Sequence, residues 1–313
     1  NNTSFISNEI KDFIKNNTEN YYTFKFNMFS TDIKIHFAIY DSDSLKDIHN
    51  LLYLMMCWLY IAIKYKKKEC SKFLNIYIYL TNFKKCLSRN IILGPKNCNS
   101  GFTYACSIDN TICIFRKEEV LKVFIHESFH ALGLDFSYKS SNNKKILLNH
   151  FNIDSTFNLS ESYTETWATI INSLFFCYFK LNKKNKIFFF DYSKKLLNIE
   201  TIFSIHQSIK ILGNMNLKYV NILKNNNNNN CVYKEKTNVF SYYILKSIIL
   251  INLEEFLNMC KLHNYLNIKN EKQFLYFILK IYKSNNVLNK YYNIENNPIY
   301  NNNNKNLKMT ICE

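Results

Sequence analysis

Two histidines and one glutamate have residue types and a spacing that can carry out metal chemistry. His126, Glu127 and His130 form a single H-E-x-x-H pattern. Residues four apart lie on the same face of an α-helix, so both imidazoles would point to one metal ion with Glu127 beside it. A carboxylate in that position can act as a general base on a water molecule at the metal. The spacing therefore predicts a metal site that performs hydrolysis.

The residues around this pattern predict a buried helix. Charged residues at 117–119 lead into it, apolar side chains occupy most of its sides, and Gly133 can end it. A helix that is apolar almost all round belongs in the interior. Short patterns also arise by chance, and a histidine that is hydrogen-bonded in the core is commoner than a ligand. The metal site therefore depends on a third ligand elsewhere in the chain.

Glu161 and Glu165 are the strongest candidates for that ligand, four residues apart at the start of a predicted helix. An acidic first turn can also simply complement the helix dipole. Here, however, the chain resembles the gluzincins, zinc metallopeptidases whose third ligand is a glutamate on a following helix with an acidic residue four positions later. The resemblance implies one Zn²⁺ held by His126, His130 and Glu161. It also implies that Glu165 accepts a hydrogen bond from a ligand histidine, although Glu165 as the ligand remains an alternative.

Two other ligand sets are open. The metzincins, a second group of zinc peptidases, extend the pattern to H-E-x-x-H-x-x-G-x-x-H or a final aspartate, and Gly133 fits it. Phe136 stands at the ligand position, however, and Asp135 comes one residue early. Phenylalanine cannot bind zinc, so the match needs a distorted turn. His150 is a further candidate, although a lone histidine in a loop is more often solvent-exposed.

Hydrolysis of a peptide bond also needs a hydrogen-bond donor for the developing oxyanion. Gluzincins often supply a tyrosine or histidine from their helical half, and residues 237–247 faintly resemble the aminopeptidase helix that carries such a tyrosine. The resemblance implies a catalytic role for Tyr243 or Tyr242, with His206 and His263 as weaker candidates. Both tyrosines can equally be core residues in a chain that contains 23 tyrosines.

Hydrophobic periodicity predicts an α+β fold. The N-terminal half is expected to contain a helix at 5–15, a hairpin at 22–40, a helix at 44–66, a strand at 73–80 and a hairpin at 101–115 that turns at Asp109 and Asn110. This order resembles the N-terminal half of zincins, a twisted mixed sheet on two helices whose edge strand lines the cleft. Beyond residue 160 only helices are predicted, at 160–180, 192–211, 239–257 and 271–283.

The sequence divides into two parts between residues 150 and 160. We expect a zincin-like α/β subdomain over 1–155 that carries the H-E-x-x-H helix, and a helical subdomain over 156–300 that carries the third zinc ligand. Residues 301–313 begin with four asparagines and are expected to form a weakly ordered tail. The asparagine run at 225–230 is expected to be an insertion in a loop.

Composition bears on partners and location. The formal net charge is +16, but the lysines are scattered and Arg89 and Arg116 are the only arginines, which favours a solvated surface over a nucleic-acid site. Only 4 glycines and 2 prolines accompany abundant Asn, Lys and Ile, as in AT-rich coding sequences of large DNA viruses or some protists. The start of the chain has no secretory signal, and the longest apolar run, at 51–63, is too short to span a bilayer.

The ten cysteines form no C-x-x-C pair, and several fall inside apolar helical patterns. This favours a reducing, intracellular compartment, either the cytoplasm or, for a viral chain, the virion or host cytoplasm. One disulfide among Cys98, Cys106 and Cys113 remains open, because these three cluster near the second hairpin.

These observations predict a zinc-dependent peptidase that acts on a peptide or protein. The aminopeptidase signature of G-x-M-E-N type is absent, which favours an endopeptidase. One alternative is a degenerate zincin with a binding or structural role. The other is a basic nucleic-acid-binding protein with an accidental motif. Side-chain specificity and oligomeric state are not indicated by the sequence.

Overall fold

A five-stranded mixed sheet forms the N-terminal half of the protein. A computed structural model describes residues 5–40, 45–88, 92–138, 143–155, 157–181, 185–224, 232–268, 271–297 and 304–313. The strands are β1 (Asn20–Met28), β2 (Thr31–Ile39), β3 (Phe73–Tyr79), β4 (Gly101–Thr103) and β5 (Asp109–Ile114), in the spatial order β1-β2-β3-β5-β4. The pairs β2–β3 and β3–β5 are parallel and the outer pairs antiparallel, so β4 is an edge strand.

Helices cover this sheet and build the second half. They are α1 (Asn8–Asn17), α2 (Leu45–Ala62), α3 (Pro95–Cys98), α4 (Val120–Ala131), α5 (Asn143–Leu148), α6 (Leu159–Lys180), α7 (Lys186–Gly213), α8 (Lys246–Ile251), α9 (Leu253–Lys261), α10 (Glu271–Ile281) and α11 (Asn285–Glu295). A π-helical turn, Phe240–Leu245, leads directly into α8. The expected α+β class, with a mixed sheet followed by a mostly helical half, is confirmed.

Alternation of side chains explains why the sheet holds α4 in the interior. Ile33, Ile35 and Phe37 of β2 are buried, whereas the residues between them are less so. Helices α2 and α4 pack together, and the Trp58 indole N–H donates to the Ser128 hydroxyl at 2.6 Å. A polar link of this kind between two buried helices fixes the rotation of α4 about its axis.

Several element boundaries differ from those predicted. The second hairpin turns over residues 104–108, because Asp109 already begins β5. Helix α11 was not predicted, since four of its eleven residues are asparagines and only Val287 and Tyr291 are buried. A two-residue strand β7 (Tyr233–Lys234) pairs with β6 (Ile153–Asp154) in a region where only helices were expected. Two residues are too few to produce a recognisable alternation.

Residues 304–313 are packed and hydrogen-bonded, unlike the weakly ordered tail that the sequence predicted over 301–313. Leu307, Met309 and Thr310 are buried, and the Met309 and Thr310 amides donate to Glu119 Oε1 at 2.7 and 2.6 Å. Residues 304–313 therefore pack against the start of α4. The prediction was based on the asparagine run and did not take account of the apolar residues that follow it. Residues 301–303, Arg89 and the asparagines at 225–230 lie outside the described residues.

One hydrophobic core extends through both halves, from β2 and β3 across α4 and α6 to α8 and α10. Within the described residues, no helix is both long and apolar enough to cross a membrane. Among the cysteines, the bridge joins Cys70 to Cys106, whereas Cys98 and Cys113 are free thiols. A bridge within the expected three cysteines is therefore ruled out, because the partner of Cys106 comes from the segment before β3.

Candidate metal centre

Helices α4 and α6 bring three ligand atoms together. His126 and His130 lie one turn apart on α4, and Glu161 lies in the first turn of α6, which packs against it. The two Nε2 atoms are 3.2 Å apart, and Glu161 Oε2 lies 3.2 Å from His126 Nε2 and 3.3 Å from His130 Nε2. These three residues form a group that could hold a metal ion.

The hydrogen bonds on the far side of each ring fix the tautomers. His126 Nδ1 lies 2.9 Å from Glu165 Oε2, and His130 Nδ1 lies 2.6 Å from Asp135 Oδ2. A carboxylate only accepts hydrogen bonds, so each Nδ1 carries a proton, and in its neutral form each ring directs an Nε2 lone pair at Glu161. Three acceptors then face one another. A cation would remove their mutual repulsion, so the donor set fits a metal ion.

Two buried lysines neutralise Glu165. Lys122 Nζ forms an ion pair with Glu165 Oε1, and Lys246 Nζ lies 3.8 Å from the same oxygen. Burial opposes ionisation of Glu165, but Lys122 and His126 outweigh it and hold its pKa below the ordinary range. Glu165 therefore remains a carboxylate that accepts a hydrogen bond from His126 Nδ1. Its two oxygens are thereby both occupied, so Glu165 orients a ligand instead of serving as one.

The pKa of Glu161 and those of the two histidines depend on one another in the same way. Burial disfavours the Glu161 carboxylate, yet His130 and His126 lower its pKa. Burial also disfavours imidazolium, whereas the surrounding carboxylates raise the pKa of both His126 and His130. The site thus attracts positive charge strongly. Its one partly open side is that of Glu161, whose side chain is 15% exposed while both rings are below 10%.

Glu127 follows His126 on α4 and lies against the edge strand β4. Burial raises the pKa of its carboxyl group, and the nearby His126 and His130 oppose that rise. Among the described residues, none donates a hydrogen bond to this carboxylate. A cavity of about 30 Å³ adjoins it, with Gly101, Val123, Tyr242 and Met309 in its walls. Glu127 is therefore a buried carboxylate free to accept a proton.

The edge strand approaches this glutamate closely. A methyl group added at Gly101 would lie 3.1 Å from Glu127 Cγ and 3.0 Å from Val123 Cγ1. Such distances are too short for a carbon to fit without movement of its neighbours. Glycine at this position therefore allows β4 to run beside Glu127.

The two neighbouring tyrosines have different surroundings. The Tyr242 ring lies 5.9 Å from the His126 ring, and burial together with Glu161 and Glu127 raises its pKa, so the hydroxyl keeps its proton. The Tyr243 hydroxyl instead donates to the Leu307 carbonyl at 2.6 Å in the core. The structure brings Tyr242 to the site. Tyr243 belongs to the packing of the C-terminal segment, so its expected catalytic role is not supported by this geometry.

Apart from Asp135, the remaining candidates lie away from the ligand cluster. Phe136 packs against Tyr163 and Phe274 in an aromatic core, and His150 Nδ1 pairs with the Tyr282 hydroxyl at 2.9 Å. His206 lies on α7 and His263 follows α9, and neither lines the cavity beside Glu127. Asp135 faces His130 through Nδ1 instead of adding a metal ligand.

Sequence reasoning missed Lys122, and it considered Asp135 only as a metal ligand and not as the hydrogen-bond partner of His130. Lys122 precedes His126 by four residues and so shares its helix face. A lysine on that face of an otherwise apolar helix was the available signal. Asp135 had no comparable signal, because its position depends on the turn after α4, where Gly133 has a φ of +65°.

Two further features lie apart from this site. A larger cavity, about 530 Å³ and mostly apolar, opens between α2, the start of α4 and α6, but none of the three ligands nor Glu127 lines it. The volume of this cavity alone indicates no chemical function. The Arg116 guanidinium donates to the backbone carbonyls of Asn99, Lys84 and Lys96 at 3.0, 2.6 and 2.7 Å. This buried arginine is engaged and is not available to bind phosphate.

Comparison with known proteins gives limited information. No family model matches the chain. The chain is similar to "Uncharacterized protein R210" of Acanthamoeba polyphaga mimivirus, with 28% identity over 158 residues. The matched segment is 50% of this chain and 39% of the viral protein. The chain therefore spans less than half of that relative.

Proposed function

We propose that the protein is a zinc-dependent peptidase of gluzincin type. The observation that carries this proposal is the convergence of His126 Nε2, His130 Nε2 and Glu161 Oε2 at 3.2–3.3 Å from one another, with both Nδ1 protons already donated elsewhere. Zinc bonds of about 2.0–2.1 Å put two tetrahedral donors about 3.3–3.4 Å apart. Two imidazoles and one carboxylate also match the ligand set of many catalytic zinc sites.

The chain's own residues then have separate roles. A bound zinc ion would acidify water and polarise a substrate carbonyl. Glu127 accepts the proton that the attacking water loses, and burial helps by raising its pKa toward neutrality. Tyr242 keeps its proton and donates a hydrogen bond to the oxyanion that develops on the carbonyl oxygen. Glu165 and Asp135 hold the two rings in the tautomer that binds metal.

The substrate is a peptide or protein chain that adds to the edge of the sheet. Strand β4 is a free edge next to Glu127, and an extended peptide can pair with such an edge through backbone hydrogen bonds. The sequence lacks the G-x-M-E-N signature of the aminopeptidases. This favours an endopeptidase. Similarity to a mimivirus protein supports a viral origin, whereas the Cys70–Cys106 bridge runs against the reducing compartment that the cysteine pattern favoured.

The first experiment measures metal content by elemental analysis in the wild type, Glu161→Ala and Glu127→Gln. We expect one zinc per chain in the wild type and in Glu127→Gln, and loss of zinc in Glu161→Ala because one of three ligands is removed. Glu127→Gln should lose at least about 100-fold in peptide hydrolysis. A wild type that binds no zinc would contradict the peptidase and favour a nucleic-acid-binding role for the basic surface.

A second candidate function is that of a zinc-binding protein without catalysis. The observation that favours it is the small cavity beside Glu127, about 30 Å³. Stoichiometric zinc without cleavage of any peptide in a diverse library would support this alternative. Cleavage that disappears in Glu127→Gln while zinc stays bound would exclude it.

A further inference from the structure

Helix α7 exposes an apolar face that the proposed peptidase chemistry does not use. The exposed apolar residues along it are Phe188, Tyr192, Ile199 and Ile202. They follow one another at intervals of four, seven and three residues, so they share one side of the helix. Ile187 in the first turn is 77% exposed. A contiguous apolar face that is open to solvent marks an interaction surface.

Aromatic rings continue this face onto two other helices. The Phe190 ring contacts Phe189, and Phe189 contacts Tyr178 of α6, with centroids 5.8 and 6.2 Å apart. Tyr178 contacts Phe179 at 5.2 Å, and Phe179 lies 5.8 Å from Tyr53 of α2. Except for Phe189, each of these rings is exposed. These rings and the exposed apolar residues of α7 together form what we call the α6–α7 surface.

Positive charge accompanies the α6–α7 surface. The exposed lysines at the end of α6 and the start of α7 are Lys180, Lys186, Lys194 and Lys195. Among the described residues between 178 and 202, Asp191 is the one exposed acidic residue, and it pairs with Lys195 at 2.8 Å. Glu200, the other acidic residue there, is buried. The surface is therefore both apolar and cationic.

From this combination we propose that the α6–α7 surface docks the protein onto an anionic lipid bilayer. Aromatic side chains enter the interfacial layer of a bilayer, where the apolar face of an amphipathic helix also lies. Lysines beside them keep their charged ends at the lipid headgroups, and negatively charged lipids attract them. Docking of this kind requires no membrane-spanning helix.

Two other occupants fit this surface less well. A second copy of the chain would bring the same lysines face to face, and like charges oppose such a contact. Nucleic acid would attract the lysines, and its bases could stack on the rings. Ile187, Ile199 and Ile202 offer no flat ring for stacking, however, and their branched side chains gain most from a hydrocarbon environment.

The α6–α7 surface is separate from the candidate metal centre. Glu161 lies in the first turn of α6 and Lys180 is its last residue. A rise of about 1.5 Å per residue places them roughly 30 Å apart along the helix. None of the proposed ligands belongs to the docking surface, so its function can be tested independently of the peptidase.

The test is sedimentation of the full chain with vesicles of phosphatidylcholine, alone or mixed with phosphatidylserine. We expect binding to the mixed vesicles that is about 10-fold or more tighter than to the neutral ones and that weakens with added salt. Lys186→Ala/Lys194→Ala should lower the affinity by about 10-fold or more, because each lysine near an anionic surface contributes about fivefold. Ile187→Ser/Phe188→Ser should lower it by a similar factor, because apolar contact with the lipid is lost.

Two control variants remove the same groups elsewhere. Lys25→Ala/Lys34→Ala removes two exposed lysines from β1 and β2, and Tyr276→Ser removes a 64% exposed ring from α10. Both should bind vesicles as the wild type does, and all variants should keep the wild-type zinc content and circular dichroism. Losses confined to the α6–α7 variants support the proposal.

Three outcomes would overturn this proposal. The first is a wild type that does not bind the mixed vesicles at low salt, and the second is a loss of binding that is equal in the control variants. The third is binding to neutral and anionic vesicles alike. If vesicle binding is absent, a dimer in analytical ultracentrifugation or a complex with RNA that Ile187→Ser/Phe188→Ser abolishes would assign the surface to that other occupant. None of these results bears on zinc binding or peptide cleavage.

Discussion

At the scale of single residues, the metal centre depends on the hydrogen bonds that each histidine makes through Nδ1 as much as on the Nε2 atoms that face Glu161. Glu165 on α6 and Asp135 after α4 each accept a hydrogen bond from one Nδ1–H, and only then do both Nε2 lone pairs face Glu161. Lys122 in turn pairs with Glu165. Each histidine ligand thus has a buried carboxylate that orients its ring, which is how a protein holds a metal site ready before the ion arrives.

Tyr242 and Tyr243 offer a direct test of the oxyanion donor. We expect Tyr242→Phe to lower kcat by about 100-fold or more, because one donor to the oxyanion is lost, while zinc content stays at the wild-type level. Tyr243→Phe should leave kcat unchanged and reduce the free energy of unfolding by about 1–3 kcal/mol, because the buried Leu307 carbonyl loses its donor.

Peptide cleavage rates, elemental analysis and urea unfolding of both variants check this prediction. Equal losses of kcat in the two variants would show that the tyrosines act through packing and not through a hydrogen bond at the site.

The sequence predicted the residues of the centre to different degrees. His126, Glu127 and His130 followed from helical spacing, and the positions of Glu161 and Glu165 followed from their resemblance to gluzincin residues. Tyr242 could not be separated from Tyr243, because they lie in a π-helical turn whose period differs from 3.6 residues. A helical projection assigns the wrong faces to residues in such a turn.

At the scale of elements, the edge strand and the helix α4 must approach closely for Glu127 to stand beside a substrate. Gly101→Ala should therefore lower kcat by about 10- to 100-fold, because the new methyl group displaces the Glu127 side chain. Zinc should remain bound, since no ligand is touched.

Gly213→Ala serves as the matched control for this change. Nothing lies within 4 Å of a methyl group added there, at the end of α7. We expect unchanged kcat and a gain in stability of about 0.5–1 kcal/mol, from the smaller entropy of the unfolded chain. Unchanged cleavage in Gly101→Ala would mean that β4 does not constrain the base.

The order of strands and helices in the first half was predictable because β2, β3 and β5 alternate and α2 and α4 are strongly apolar. The C-terminal segment was not, since its order comes from distant partners. Glu119, Lys246 and Tyr243 each bond to its backbone. No local pattern encodes such long-range hydrogen bonds, so the sequence of a short segment of this kind predicts a weakly ordered tail.

At the scale of the whole molecule, the two halves are joined by buried polar groups as well as by the common core. Glu235, after β7, accepts hydrogen bonds from the Ser155 and Tyr233 hydroxyls at 2.5 and 2.8 Å and from the Phe240 amide at 2.6 Å. It thereby links the β6–β7 pair to the π-helical turn that carries Tyr242. Breaking this link would loosen the helical half against the metal centre.

The ionisation of Glu235 makes the stability of the whole protein depend on pH. Burial raises its pKa from 4.5 to about 7, although these three donors oppose the rise. The folded state therefore binds a proton at Glu235 more tightly than the unfolded state does. The stabilisation that this proton provides is complete below about pH 4.5 and is lost as the pH rises toward 7. The expected loss from this residue is about 3 kcal/mol.

Glu235→Gln should remove this contribution, because its amide oxygen can still accept from Tyr233 and Phe240 while its amide group donates to Ser155. Urea unfolding at pH 5, 6, 7 and 8 would then show that the free energy of unfolding falls less steeply with pH in the variant than in the wild type. The variant should be the more stable of the two at pH 8. Asp191→Asn, an exposed change on α7, provides the control and should run parallel to the wild type. Parallel curves for Glu235→Gln and the wild type would mean that Glu235 ionises alike in the folded and unfolded chains.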